Sequence, residues 1–154
     1  MNIVIANRQR TKRVDKRLLK EIVGGLFVEL QIPDAELGIS LVNAREMTRV
    51  NETFLRHEGS TDVITFDHAE KRTPMHGELF VCVDEAVMQA KQFGTNWQSE
   101  IVRYIVHGVL HLLGHDDLKR PLQRKMKREE NRLMRLLAKK FTLAQIAGRS
   151  KISA

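Results

Sequence analysis

His107-Gly108-Val109-Leu110-His111-Leu112-Leu113-Gly114-His115-Asp116-Asp117 spaces its side chains as H-x3-H-x2-G-x2-D. Histidines four residues apart stand one turn apart on the same face of a helix, where two imidazoles converge on one ion. Gly114 ends such a helix and turns the chain back, so that a ligand three residues later reaches the same point. Asp117 occupies that position. The pattern is close to the metzincin arrangement H-E-x-x-H-x-x-G-x-x-H, with two substitutions. Gly108 stands where zinc proteases carry their general-base glutamate, which argues against ordinary zinc proteolysis. Asp117 replaces the third histidine, and zinc accepts a carboxylate oxygen at about 2.0–2.2 Å.

His115 lies four residues after His111, so a helix continuing past Gly114 would put it on the ligand face. The glycine favours the turn and hence Asp117, with His115 as the alternative third ligand. Asp116 is the nearest further acid, fit to orient an imidazole or to act in acid–base chemistry. Ile101, Val102, Ile105, Val106, Val109 and Leu110 make the segment apolar nearly all round, so the helix is expected to be buried and its histidines to need partners.

Outward from this helix, periodicity gives an alternating α and β order. Ile3–Ala6 reads as a short strand. Val14–Leu30 is an amphipathic helix with Leu18, Ile22, Leu26 and Leu30 at helical spacing, ended by Pro33. Glu36–Val42 reads as a strand, and Asn43 caps a helix over Ala44–Leu55. Thr61–Phe66 and Glu78–Val83 are further strands, separated by a charged loop containing Pro74 and Gly77. Asp84 is expected to cap a helix running to Phe93 and stopped by Gly94. The metal helix follows over Asn96–Leu113, and Leu122, Met126, Leu133 and Leu137 define a last long helix begun near Pro121.

The 154 residues, 42% hydrophobic and 29% charged, suit one globular domain. The single cysteine, Cys82, cannot form an internal disulfide and reads as a small core residue of a strand. No apolar run approaches the roughly 20 residues of a membrane span, and no cleavable leader is visible, so the expected location is cytoplasmic, without a membrane partner. Charge is uneven: residues 1–20 hold seven cations and one acid, residues 119–154 twelve cations and two acids, and the centre is acidic. Basic ends around a metal centre suit a polyanion, because neutralising phosphates releases counterions. With aromatics at 5%, backbone contact would outweigh base stacking.

The metal motif, with Asn51-Glu52-Thr53-Phe54, Thr61-Asp62-Val63-Ile64-Thr65-Phe66 and Gly77-Glu78-Leu79-Phe80 upstream, resembles the YbeY family of endoribonucleases that act as rRNA maturation factors. The resemblance spans Val42 to Leu137 by motif. It implies a single α+β domain over residues 1–154, with a mixed four-stranded sheet, about five helices and the metal site at the C-terminal end of a central buried helix. It further implies one zinc ion per chain, cleavage of single-stranded RNA, and a role in 16S rRNA 3′-end maturation, 30S ribosome assembly and quality control. Ribosomal proteins or assembly GTPases are the protein partners it suggests. Two positions depart from the family pattern: Asp117 replaces the usual histidine, and the arginine that follows the aromatic of the N-x-x-F block is Leu55 here. Arg56, the candidate substitute, comes one residue later, which on a regular helix turns a side chain by about 100°. Arg103 is a second candidate to balance phosphate charge. The competing functions are a zinc metallopeptidase and a non-catalytic rRNA-binding assembly factor with a structural metal.

Overall fold

The computed structural model describes residues 1–70 and 75–148. Four strands, β1 (Asn2–Asn7), β2 (Ala35–Val42), β3 (Val63–Asp67) and β4 (Met75–Cys82), form one sheet in the order β1-β2-β4-β3. β1 and β4 run parallel to β2, while β3 is antiparallel to β4, so the sheet is mixed as expected. Five helices accompany it: α1 (Lys16–Glu29), α2 (Ala44–Val50), α3 (Val83–Phe93), α4 (Trp97–Leu112) and α5 (Arg120–Lys140). The architecture is a single α+β domain.

Alternation along the strands decides which layer lies where. Leu37, Ile39, Leu41, Leu79 and Val81 point to one face and are at most 2% exposed. They pack with Leu19, Ile22, Leu26 and Phe27 of α1, the apolar length of α4, and Met126, Leu133 and Leu137 of α5. Full burial of each such side chain contributes about 1.5–3 kcal/mol. A smaller cluster of Val42, Met47, Val50, Ile64 and Cys82, with Phe66 and Phe80 against it, involves α2 and the strand ends. The stripe at Met126, Leu133 and Leu137 draws α5 onto α4, which sets the two helices that build the site side by side.

Several local expectations change. Asp84 does not cap its own helix: α3 starts at Val83, and the Asp84 carboxylate accepts from the Ala44 amide at 2.6 Å and from the Thr11 hydroxyl at 2.5 Å. It thereby satisfies an N-terminal amide of α2, which Asn43 also caps through the Glu46 amide. α1 ends at Glu29, before Pro33, with Gln31 left-handed at φ 57°. β4 begins at Met75 and so takes in Gly77, while Pro74 lies outside the described residues, as do Arg149 and Lys151. The helix expected to Leu55 is α-helical only to Val50, and residues 51–55 widen into a π-helical turn ending at Arg56, which is left-handed. Asn51 is the physical cause at hand: its buried side chain donates to the Gly59 carbonyl and its own carbonyl accepts from His57, pulling the following loop onto the turn.

Candidate metal centre

α4 is capped at its start by Asn96, whose side chain accepts from the Ser99 amide at 2.8 Å. At its other end the Gly114 amide donates to the His111 carbonyl and the His115 amide to the Leu110 carbonyl, both at 3.0 Å. This is a Schellman closure, and it needs the left-handed φ of 96° that glycine supplies at Gly114. The chain then folds back. Asp116 accepts from the Leu118 amide at 2.8 Å, which fixes the loop as it returns along the helix. Asp117 arrives beside the two histidines.

His107, His111 and Asp117 form a group able to hold one metal ion. The two Nε2 atoms are 3.1 Å apart, and Asp117 Oδ2 lies 3.7 Å from His111 Nε2 and 4.0 Å from His107 Nε2. Ligands about 2.0–2.1 Å from a tetrahedral ion stand about 3.3 Å from one another, so the spacing suits such an ion. The tautomers agree with this. His107 Nδ1 donates to Glu130 Oε1 at 3.3 Å and His111 Nδ1 donates to the His115 carbonyl at 3.0 Å. Both Nε2 lone pairs are thereby left facing each other, an arrangement that a cation between them relieves.

His115, the alternative ligand, contributes its carbonyl to His111, and its side chain lines a separate groove with Arg128 and Glu129. Asp116 sits in the ligand loop but outside the metal group. Arg56 is exposed, at the end of the π-helical turn, and no contact among the described residues ties it to the histidines. Arg103 lies one turn before His107 and is held by Glu130 at 3.1 Å and Asn131 at 2.8 Å.

Glu130 escaped the sequence reading. It is 3% exposed and accepts from His107, Arg103 and Lys127, the last at 2.9 Å. Burial pushes its carboxyl up, but the bonds from His107 and Lys127 and the charges of Lys127 and Arg103 prevail and hold it at about 2. The same hydrogen bond raises the His107 imidazole above its ordinary value, against the opposing effect of burial. One signal was present: Glu130 falls on the apolar stripe of Met126, Leu133 and Leu137, where an acid needs a reason to be. Tyr104, 4% exposed and one turn before His107, was missed too. Its hydroxyl has no hydrogen-bond partner among the described residues, and burial raises its pKa.

The centre opens on one side into a cleft of about 640 Å3, whose lining includes Asp62, Arg103, Tyr104, Arg124 and Lys127. Next to His107, α4 is packed against the sheet. A Cβ on Gly108 would stand 2.7 Å from Leu79 Cδ2 and 3.3 Å from Thr65 Oγ1, so α4 sits closely on the sheet and a side chain there would have to displace Leu79.

The profile of a family described as Endoribonuclease YbeY matches residues 4–138. The chain belongs to the YbeY family. An Endoribonuclease YbeY of Myxococcus xanthus is 39% identical over 105 residues, covering 65% of this chain. One of Chlorobium phaeovibrioides is 38% identical over 93 residues, covering 60% of this chain. The matches span only 36% and 62% of those two relatives. The solution structure of a Thermotoga maritima protein has the same fold, with a TM-score of 0.69, 22% identity and 99% of each chain covered. Among the described residues no helix is long and apolar enough to cross a membrane.

Proposed function

We propose that this chain is a zinc-dependent endoribonuclease specific for single strands. We assign it to 16S rRNA 3′-end maturation, 30S assembly and ribosome quality control in the cytoplasm, with a domain taking in all of residues 1–154. The observation that carries the reading is the convergence of His107, His111 and Asp117 at the wall of a cleft whose nearby side chains include Arg103, Arg124 and Lys127. Three protein ligands leave one position of a tetrahedral ion open, as catalytic rather than structural sites do. That donor set counts against the assembly factor with a structural metal.

Zinc held there supplies Lewis acidity toward a phosphoryl oxygen or an attacking oxygen. The protein's own groups do the rest. Glu130 and the His115 carbonyl hold the imidazoles in their ligand tautomers. Arg103, Arg124 and Lys127, which line the cleft, offset charge growing on the phosphate. Asp116, one oxygen of which takes the Leu118 amide, is assigned to accept the proton of the attacking hydroxyl and to return it to the leaving oxygen as the P–O bond to that oxygen breaks. Arg56 serves as the activity-related arginine of the family pattern. A π-helical turn accommodates one more residue than an α-turn, which supports this assignment for a residue that comes one place late. A peptidase would need a glutamate after His107, where this chain has Gly108 packed closely against Leu79 and Thr65.

The test is cleavage of an end-labelled RNA, single-stranded or annealed to its complement, by purified protein. The wild-type protein is expected to cut only the single strand, and chelation or His111→Ala to abolish the cut. Equal background from wild type and His111→Ala overturns the reading.

A further inference from the structure

α5 carries a cationic stripe that the metal centre does not use. Lys125, Arg128, Arg132 and Arg135 recur at alternating three- and four-residue steps, which keeps them on one face. With His115, Glu129 and Asn131 they line an open groove of about 430 Å3. Arg132 is engaged by Glu129. Lys125, Arg128 and Arg135 are exposed and form no ion pair among the described residues. Like charges one turn apart repel, so Lys125, Arg128 and Arg135 have no evident role in holding the helix together. The groove and the metal cleft flank the same loop: His115 lines the groove and Asp117, two residues on, lines the cleft.

We propose that this groove binds the sugar-phosphate backbone of single-stranded RNA, so that a strand entering the metal cleft crosses the His115–Asp117 loop and continues along α5. The proposal rests on the endoribonuclease reading for its substrate. From Lys125 to Arg135 the stripe runs about 15 Å along the helix, long enough for successive phosphates rather than one isolated anion. None of the groove's lining residues is apolar, whereas protein-binding patches are anchored by buried aromatic or aliphatic side chains. The apolar side of α5, Met126, Leu133 and Leu137, is locked in the core, so the helix has no face to insert into a lipid surface. The other basic end of the chain is partly neutralised, with Arg8 paired to Glu46. A backbone-reading groove of this kind binds without regard to sequence.

The experiment compares the full-length protein with Lys125→Gln/Arg128→Gln/Arg135→Gln. Binding of a long single-stranded RNA is read by fluorescence anisotropy across a salt series, in a His111→Ala background so that no cleavage intervenes. For single strands each neutralised phosphate contributes about 0.7 to the slope of log affinity against log salt, so the triple variant is expected to lose about 2 from that slope. With His111 restored, the triple variant is expected to show a raised KM on the long RNA, an unchanged kcat, and normal cleavage of a short oligonucleotide that fills only the cleft. An unchanged salt slope overturns the proposal. So does a triple variant that keeps its RNA affinity while losing binding to an acidic polypeptide or to anionic vesicles. Absence of cleavage by either protein, with the slope still reduced, removes the nuclease reading and leaves the groove. Normal cleavage with an unchanged slope removes the groove alone.

Discussion

Glu130 on α5 reaches across to His107 on α4, with its Oε1 3.3 Å from Nδ1, and so ties the last long helix of the chain to the first histidine of the candidate metal centre. Its other oxygen takes Arg103 and Lys127. A carboxylate behind a ligand imidazole fixes the ring and makes its other nitrogen more basic. Glu130→Gln is therefore expected to weaken zinc affinity about 10- to 100-fold with the fold retained, as measured by competition with a chromogenic chelator. Affinity equal to wild type would remove Glu130 from the site.

The low pKa of the same carboxyl links stability to pH. Its folded-state value of about 2 lies below the ordinary 4.5, so its contribution is fully present above pH 4.5 and is lost as pH falls through about 2. The shift corresponds to about 3 kcal/mol at neutral pH. In metal-free protein the gap in denaturation midpoint between wild type and Glu130→Gln is expected to be widest above pH 4.5 and to close toward pH 2. A gap independent of pH in that window would contradict the assignment.

Asp117 and His115 separate cleanly by substitution. Asp117→Ala removes the proposed third ligand and is expected to lower zinc affinity by more than about 100-fold. His115→Ala leaves in place the carbonyl that holds His111 and is expected to stay within a few-fold of wild type. Metal analysis after dialysis reads both. The reverse order would make His115 the ligand.

Gly108→Ala places a methyl group 2.7 Å from Leu79 Cδ2 in a close-packed layer, with an expected cost of about 1–3 kcal/mol. Leu79→Ala alone leaves a cavity and costs about 2–5 kcal/mol. Because the two groups meet, the double variant is expected to lose less than the sum of the singles in urea denaturation. Strict additivity would mean that the contact is absent.

Arg56→Ala is expected to lower kcat on single-stranded RNA at least about tenfold with zinc content unchanged, measured under saturating substrate. Wild-type kcat would move the role to a cation that lines the cleft, such as Arg124.

What could be read from the chain alone was what acts over one or two turns. The histidine spacing, Gly114 and the Asn96 cap are local, and the structure brings His107, His111 and Asp117 together as that pattern anticipates. Glu130 was not legible as a partner because its contact with His107 spans 23 residues and exists only once α5 docks on α4. Asp84 has the residue type of a local cap, yet Ala44, 40 residues away, wins its carboxylate. The π-helical turn depends on Asn51 finding the Gly59 carbonyl, a loop contact that periodicity does not encode.

The Schellman closure at Gly114 has a thermodynamic consequence. The hydrogen bonds that end α4 also bring the His115 carbonyl to His111 and start the return of Asp117. Domains that fold only around their zinc are unfolded when it is scarce. In the proposed centre the donor side chains are oriented by hydrogen bonds of the chain itself, so metal loading and folding are expected to be separate equilibria.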